Sequence, residues 1–78
     1  MNKVANFKRY PITSRESEFM DHVADYYEEH GYTPLPREIA EKMGVTPSRV
    51  RHIAHKLQAK GQIKYIPRVH RGIRLLEV

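Results

Sequence analysis

Apolar residues recur along this chain in three helical rhythms, and the rhythm then changes to an alternating one. Phe19, Val23 and Tyr26 stand at i, i+4 and i+7, with Met20 and Tyr27 beside them, so they share one stripe of a period-3.6 helix. Glu18, Asp21, Asp25, Glu28 and Glu29 fall on the opposite side. Thr13-Ser14-Arg15-Glu16 has the spacing in which a hydroxyl and a carboxylate satisfy each other's orphan backbone donors at a helix start, and Gly31 takes the terminating position. Thr33-Pro34-Leu35-Pro36 is a stiff connector, with Pro36 suited to the first position of a second helix. Arg37 to Met43 supplies about two turns with Ile39, Ala40 and Met43 apolar, and Gly44 ends them. Thr46-Pro47 then opens a third helix, a hydroxyl cap followed by proline at N1, which runs to about Lys60 before Gly61.

After Gly61 the texture changes. Gln62 to Ile66 alternates and is rich in β-formers, Pro67 to Arg71 reads as a turn, and Gly72 to Leu76 can return as a second strand. Such a hairpin is too weak to stand alone but is adequate when packed on helices. Two helices joined by Gly44-Val45-Thr46 have the spacing of a helix-turn-helix. The order helix, helix, helix, hairpin therefore predicts an α+β fold, a three-helix winged helix-turn-helix over residues 13–78 whose C-terminal two-stranded hairpin forms the wing. Residues 1–12 have no helical period and end in Tyr10-Pro11-Ile12, which reads as a flexible basic arm or a frayed terminus.

The length of 78 residues allows one small domain with little room for a deep substrate cavity. Without cysteine, disulfides, thiolate zinc sites and thiol nucleophiles are excluded; a reducing, cytoplasmic compartment fits. Apolar runs of two or three residues cannot span a membrane. Charge is more informative when divided along the chain. Residues 1–12 carry +3, residues 13–43 carry −5 and residues 44–78 carry +7, which together give the net +5. No acid occurs from residue 42 to residue 76. A polarised domain of this kind steers an anionic partner, first of all nucleic acid, with an anionic membrane surface as the next candidate.

At 100° per residue, Val50, Ile53, Ala54 and Leu57 of the third helix fall within a core-wide arc, and Ser48, His52, His55 and Ala59 lie opposite, flanked by Arg49, Arg51 and Lys56. A carboxylate-free face of donors and cations suits the major groove, where arginine meets guanine O6 and N7 and serine or histidine meets base edges. Thr46, Ser48, Arg49, Arg51 and His52, at the helix start, take the base-contacting role. His55, Lys56, Lys60 and Lys64 are placed as phosphate contacts, and Arg68, His70 and Arg71 at the wing as backbone or minor-groove contacts. The bland alternative is a solubilising surface, which the segregation of the acids disfavours. His52 and His55 share a face but lack a third ligand, so neither metal nor cofactor is expected. No acid, histidine and nucleophile converge at catalytic spacing, so no enzyme is expected. The competing reading is a protein-interaction adaptor built on the same scaffold and binding a host or phage regulatory protein or a polymerase. RNA binding ranks third, because the interleaved aromatics expected of single-strand readers are lacking.

These residues resemble the amino-terminal DNA-binding domain of the LexA repressor family over about Thr13 to Leu76. The resemblance is carried by Gly31-Tyr32-Thr33-Pro34, by Arg37-Glu38-Ile39-Ala40-Glu41-Lys42-Met43-Gly44, by Leu57-Gln58-Ala59-Lys60-Gly61-Gln62-Ile63 and, above all, by Arg71-Gly72-Ile73-Arg74-Leu75-Leu76. It implies a sequence-specific transcriptional repressor that pairs, as a weak homodimer on DNA, over double-stranded operator half-sites. It also implies base contacts at the start of helix three, here Thr46, Ser48, Arg49, Arg51 and His52. The turn before helix three is one residue shorter than the family's, and Arg51 and His52 stand where enterobacterial members carry two glutamates, so a different operator is expected. The family's self-cleavage domain, with its serine–lysine dyad and scissile Ala-Gly bond, is expected to be missing, which implies escape from autoproteolysis and loss of the main dimerisation domain. By analogy, a chain of this size is expected to be a phage or mobile-element regulator.

Overall fold

The computed structural model describes residues 11–76, so all but the last two residues of the expected arm, and the final two residues of the chain, lie outside the description. Three helices, α1 (Ser14–His30), α2 (Pro36–Met43) and α3 (Pro47–Ala59), precede an antiparallel pair of strands, β1 (Ile63–Tyr65) and β2 (Ile73–Leu75). This is the winged helix-turn-helix order that the hydrophobic pattern predicts. Among the described residues no helix is long and apolar enough to cross a membrane.

The caps form from the residues expected. Thr13 Oγ1 accepts the Glu16 N–H at 3.1 Å, and Glu16 Oε1 accepts the Thr13 N–H at 3.0 Å, closing a reciprocal box at the head of α1. Thr46 Oγ1 accepts the Arg49 N–H at 3.2 Å at the head of α3, with Pro47 at N1. At the head of α2, Glu38 Oε1 takes the Leu35 N–H at 2.7 Å. Gly44, which ends α2 and makes the turn to α3, has φ of +72°, a left-handed conformation open to glycine at no steric cost.

One core unites the elements. Phe19 and Val23 of α1, Ile39, Ala40 and Met43 of α2, Val50, Ile53, Ala54 and Leu57 of α3, and Ile63, Tyr65 and Ile73 of the hairpin are all buried. The α1 stripe is shorter than its periodicity implies. Tyr26 is only half-buried and Tyr27 is 46% exposed. The reason is length: α1 has 17 residues and runs roughly 25 Å, whereas α2 has 8 and covers about half of that.

The strands are also shorter than the alternating tail suggests. The Gln62 N–H closes back on the Leu57 carbonyl at 2.9 Å as part of the α3 terminus, which leaves three residues to each strand. The register pairs Ile63 with Leu75, Lys64 with Arg74 and Tyr65 with Ile73. Two side-chain bonds fix the hairpin to the helices: Gln58 Oε1 accepts the Tyr65 N–H, and the Thr33 hydroxyl donates to the Ile73 carbonyl, each at 2.5 Å.

The wing closes where the Ile66 N–H meets the Gly72 carbonyl at 3.0 Å. A Cβ on Gly72 would collide with the Ile66 carbonyl oxygen and press on that of Val69. Gly72→Ala is therefore expected to open the wing and to destabilise the fold by about 1–3 kcal/mol, the cost typical of overpacking. Urea unfolding midpoints of the two proteins check this.

Candidate nucleic-acid interface

The apolar stripe of α3 points inward, and its opposite side is free. Val50, Ala54 and Leu57 have no accessible surface and Ile53 has 4%, while Ser48, Arg49, Arg51, His52, His55 and Lys56 are all exposed. Packing thus delivers the polar face to solvent as one strip about three turns long. Thr46 is exposed at its head; its hydroxyl oxygen is occupied by the cap, while its O–H can still donate.

The strip is flanked by two cationic clefts. One, of about 480 Å³, lies between α3 and the wing and is lined by Arg51, Arg68 and His70 with Pro36, Tyr65 and Val69. The other, of about 450 Å³, lies between α3 and the head of α1 and is lined by Arg49, His52, Ile53 and Lys56 with Thr13, Ser14, Arg15 and the buried carboxylate of Glu16. His55 leans toward the hairpin, edge-on to Tyr65 with ring centroids 5.0 Å apart, which steadies its ring beside the strip. Arg68 and His70 are exposed at the wing turn, where the Arg68 backbone is left-handed, with φ of +69°.

Two of the expected phosphate contacts face the protein instead. Lys60 Nζ sits 2.6 Å from Glu16 Oε1 and donates to the Pro11 carbonyl at 3.1 Å. Glu16 is buried on the core side of α1, one turn before Phe19, and a carboxylate there requires a cation. Burial pushes its pKa up, but the hydrogen bonds from Lys60 and the Thr13 backbone, with the charges of Lys60 and Lys56, hold it below the ordinary 4.5.

Arg71 likewise turns back from the wing. Its guanidinium donates to the Thr33 carbonyl at 2.9 Å and to Glu38 Oε1 at 3.3 Å, and it lies over the Tyr32 ring at 4.6 Å. The Leu35 N–H is the main influence holding the Glu38 carboxyl below its ordinary range; burial opposes it, and Arg71 adds to it. Lys60 and Arg71 are thus internal struts, one for α1 on α3 and one for the wing on the α1–α2 side, because each has a carboxylate within reach that the linear charge map does not show.

Two surface residues escape the sequence reading. Arg74 stands directly across the hairpin from Lys64, so the outward sheet face carries a pair of facing cations, which repel unless an anion lies near. Pairing the two expected strands symmetrically about the 67–71 turn would have revealed it. Val69 is 45% exposed at the wing turn between Arg68 and His70, an apolar tip in a cationic setting.

The Glu16 pair has a testable signature. A carboxyl whose folded pKa is depressed contributes stability that is complete above its unfolded pKa and is lost as pH falls through the folded one. Glu16→Gln is expected to cost about 1–3 kcal/mol at neutral pH, below the value for a wholly buried pair because Lys60 is partly exposed. The two unfolding curves should converge as the pH drops below 4.5 and the wild-type carboxyl protonates. Urea midpoints from pH 7 downward check the sign.

The comparisons agree with the geometry. A family model described as the LexA DNA binding domain matches residues 9–72. The chain is 42% identical over 67 residues to the LexA repressor of Methylococcus capsulatus, an alignment covering 85% of this chain and 33% of that protein. It is 41% identical over 68 residues to the LexA repressor of a Nocardioides species, covering 86% and 26% respectively, and 39% identical over 70 residues to that of Cellvibrio japonicus, covering 87% and 34%. The chain thus spans about a third or less of the length of these relatives. With its three helices, its hairpin and a match that runs from the head of α1 into the wing, this chain belongs to the LexA DNA-binding domain family.

Proposed function

We propose that the chain is a sequence-specific, non-enzymatic repressor that recognises double-stranded DNA by laying α3 in the major groove and the wing against the adjoining backbone or minor groove. The observation that carries this reading is the α3 strip with a cationic cleft along either side. A helix seated in the major groove has a sugar–phosphate strand on each flank, and the groove, about 12 Å wide, admits one helix. Ser48, Arg49, Arg51 and His52, with Thr46 at the entrance, read base edges. Lys56, His55, Lys64, Arg68 and His70 serve the backbone, with Arg74 added to the set. Lys60 and Arg71 hold the scaffold. Repression follows from occupancy of the operator, without cofactor or metal, and tighter binding comes from two copies on adjacent half-sites.

Withdrawing Lys60 and Arg71 lowers the number of phosphates that this domain neutralises. With roughly 3–5 contacts, log K should fall against log salt with a slope of about −3 to −5. A salt-independent affinity for a protein partner would instead favour the adaptor role. Selection of bound duplexes from a random pool is the direct test, and a palindromic motif would establish paired binding. On the selected site, Arg51→Ala or Arg49→Ala should cost about 1–3 kcal/mol and relax the choice of base, whereas Lys56→Ala should weaken all sequences nearly alike. Equal binding of cognate and random duplexes by the wild type would sink the base-reading assignment.

A further inference from the structure

A third groove, of about 320 Å³, lies between α1 and α2 and takes no part in the DNA-facing strip. It is lined by the buried Pro34 and Ile39, by the Tyr26 and His30 rings with centroids 4.1 Å apart, and by the carboxylates of Asp25 and Glu29. Glu38 also lines it but is bonded to Arg71, and Lys42 is the one lysine or arginine on its wall. Among the described residues no lysine or arginine pairs with Asp25 or Glu29. The surroundings share this sign. With Glu16–Lys60, Glu38–Arg71 and Glu18–Arg15 set aside as pairs, Asp21, Asp25, Glu28, Glu29 and Glu41 remain on α1 and α2 against Arg37 and Lys42. The carbonyl end of α1 adds to the negative field.

The fold itself shows what such a surface holds. Arg71 reaches the neighbouring patch from the wing: its guanidinium lies 4.6 Å from the Tyr32 centroid and 5.9 Å from that of Tyr26, and it donates to Glu38. The groove repeats that pairing of ring and carboxylate, Tyr26 and His30 beside Asp25 and Glu29, with no guanidinium among its lining residues. The chain also carries a matching projection. Arg68, Val69 and His70 are exposed at the wing turn, Val69 to 45%. Arg68 and Arg71 are both left-handed, with φ of +69° and +53°, and bracket this tip in a tight turn. A cation with an apolar neighbour suits an acidic groove walled by aromatic and aliphatic carbon. Arg68 lines the cleft beside α3 of its own chain and not this groove, so a second molecule has to supply the cation.

We propose that DNA-free copies of this chain associate with one another, the wing tip of one copy seated in the α1–α2 groove of another. The Arg68 guanidinium meets Asp25 and Glu29, and Val69 packs on the Tyr26 ring. The contact is small and led by charge, so it is weak and sensitive to salt, with a Kd on the order of 0.1–1 mM at low ionic strength. Its consequence for DNA rests on the reading above: duplex and second copy compete for Arg68 and His70, and self-association withholds the wing until a duplex displaces it.

The test is sedimentation equilibrium of the full-length chain at about 0.05–1 mM, in roughly 20 mM and 300 mM salt. Two double variants accompany the wild type: Asp25→Lys with Glu29→Lys, which reverses the groove, and Arg68→Glu with His70→Glu, which reverses the tip. All four positions are exposed, and circular dichroism should match the wild type. At low salt the wild-type mass should rise above the monomer's 9.2 kDa, and the association should weaken roughly 10-fold or more at high salt. Each variant alone should stay monomeric, whereas an equimolar mixture should associate again, native tip to native groove and reversed tip to reversed groove. The milder Asp25→Asn with Glu29→Gln should weaken association in the same direction. A wild type that stays monomeric overturns the proposal, as does association that survives either reversal or a mixture that fails to recover it. An equimolar duplex of about 12 bp, enough for one half-site, should leave one chain per duplex. A duplex that carries the associated form intact overturns the competition. Recovery in the mixture with no duplex binding by the wild type overturns the DNA reading and leaves the contact between copies standing.

Discussion

The molecule depends on one packing constraint, the seating of a single side of α3 in the core. Val50, Ile53, Ala54 and Leu57 are buried against α1, α2 and the hairpin together, so α3 cannot rotate about its axis without exposing several apolar side chains at once. At about 1.5–3 kcal/mol for each large apolar side chain, such a rotation would exceed the few kcal/mol by which a domain of this size is stable. The polar side is therefore held outward as firmly as the core is held inward. Recognition by a rigid helix depends on that coupling, because a side chain has to arrive at a base edge in a fixed register.

The flanks of the strip are set by different forces. The wing is short, and a three-residue pair of strands has little stability of its own. It is tied to the body by polar contacts: the Tyr65 N–H to Gln58, the Thr33 hydroxyl to the Ile73 carbonyl, and Arg71 to Thr33, Glu38 and Tyr32. At the other flank, Glu16 and Lys60 join α1 to the end of α3. Both struts use a cation that belongs, by its place in the sequence, to the positive half of the chain. Each is matched to an acid in the negative half, so part of the charge segregation is consumed in holding the two halves together. Arg49, Arg51, Lys56, Lys64, Arg68 and Arg74 remain exposed and give the outer surface its positive field.

Much of this was legible in the residues. The caps at Thr13 and Thr46, the prolines at the heads of α2 and α3 and the stripe of α3 are local features, fixed by neighbours three and four positions away, and they fold as their spacing directs. The family model matches residues 9–72, the stretch that holds all of these features. The fate of Lys60 was partly legible. Glu16 lies three residues before Phe19 and seven before Val23, on the stripe itself, and an acid on a core stripe signals that a distant cation must meet it. Nothing along the chain named that cation.

Sequence by itself determined the elements, their order, the inward face of each helix and the sign of charge at each end, because each depends on periodicity and on contacts within a few residues. Tertiary structure alone decided which cations stay free for an anion. Lys60 meets an acid 44 positions away and Arg71 one 33 positions away, and only the folded chain brings such groups within 4 Å. It also decided where the stripe of α1 stops, since Tyr27 keeps to the helical rhythm but has no neighbouring element long enough to cover it. The reason is common to all three: propensity is a property of a residue and its near neighbours, whereas pairing and burial depend on which distant surfaces the fold brings together.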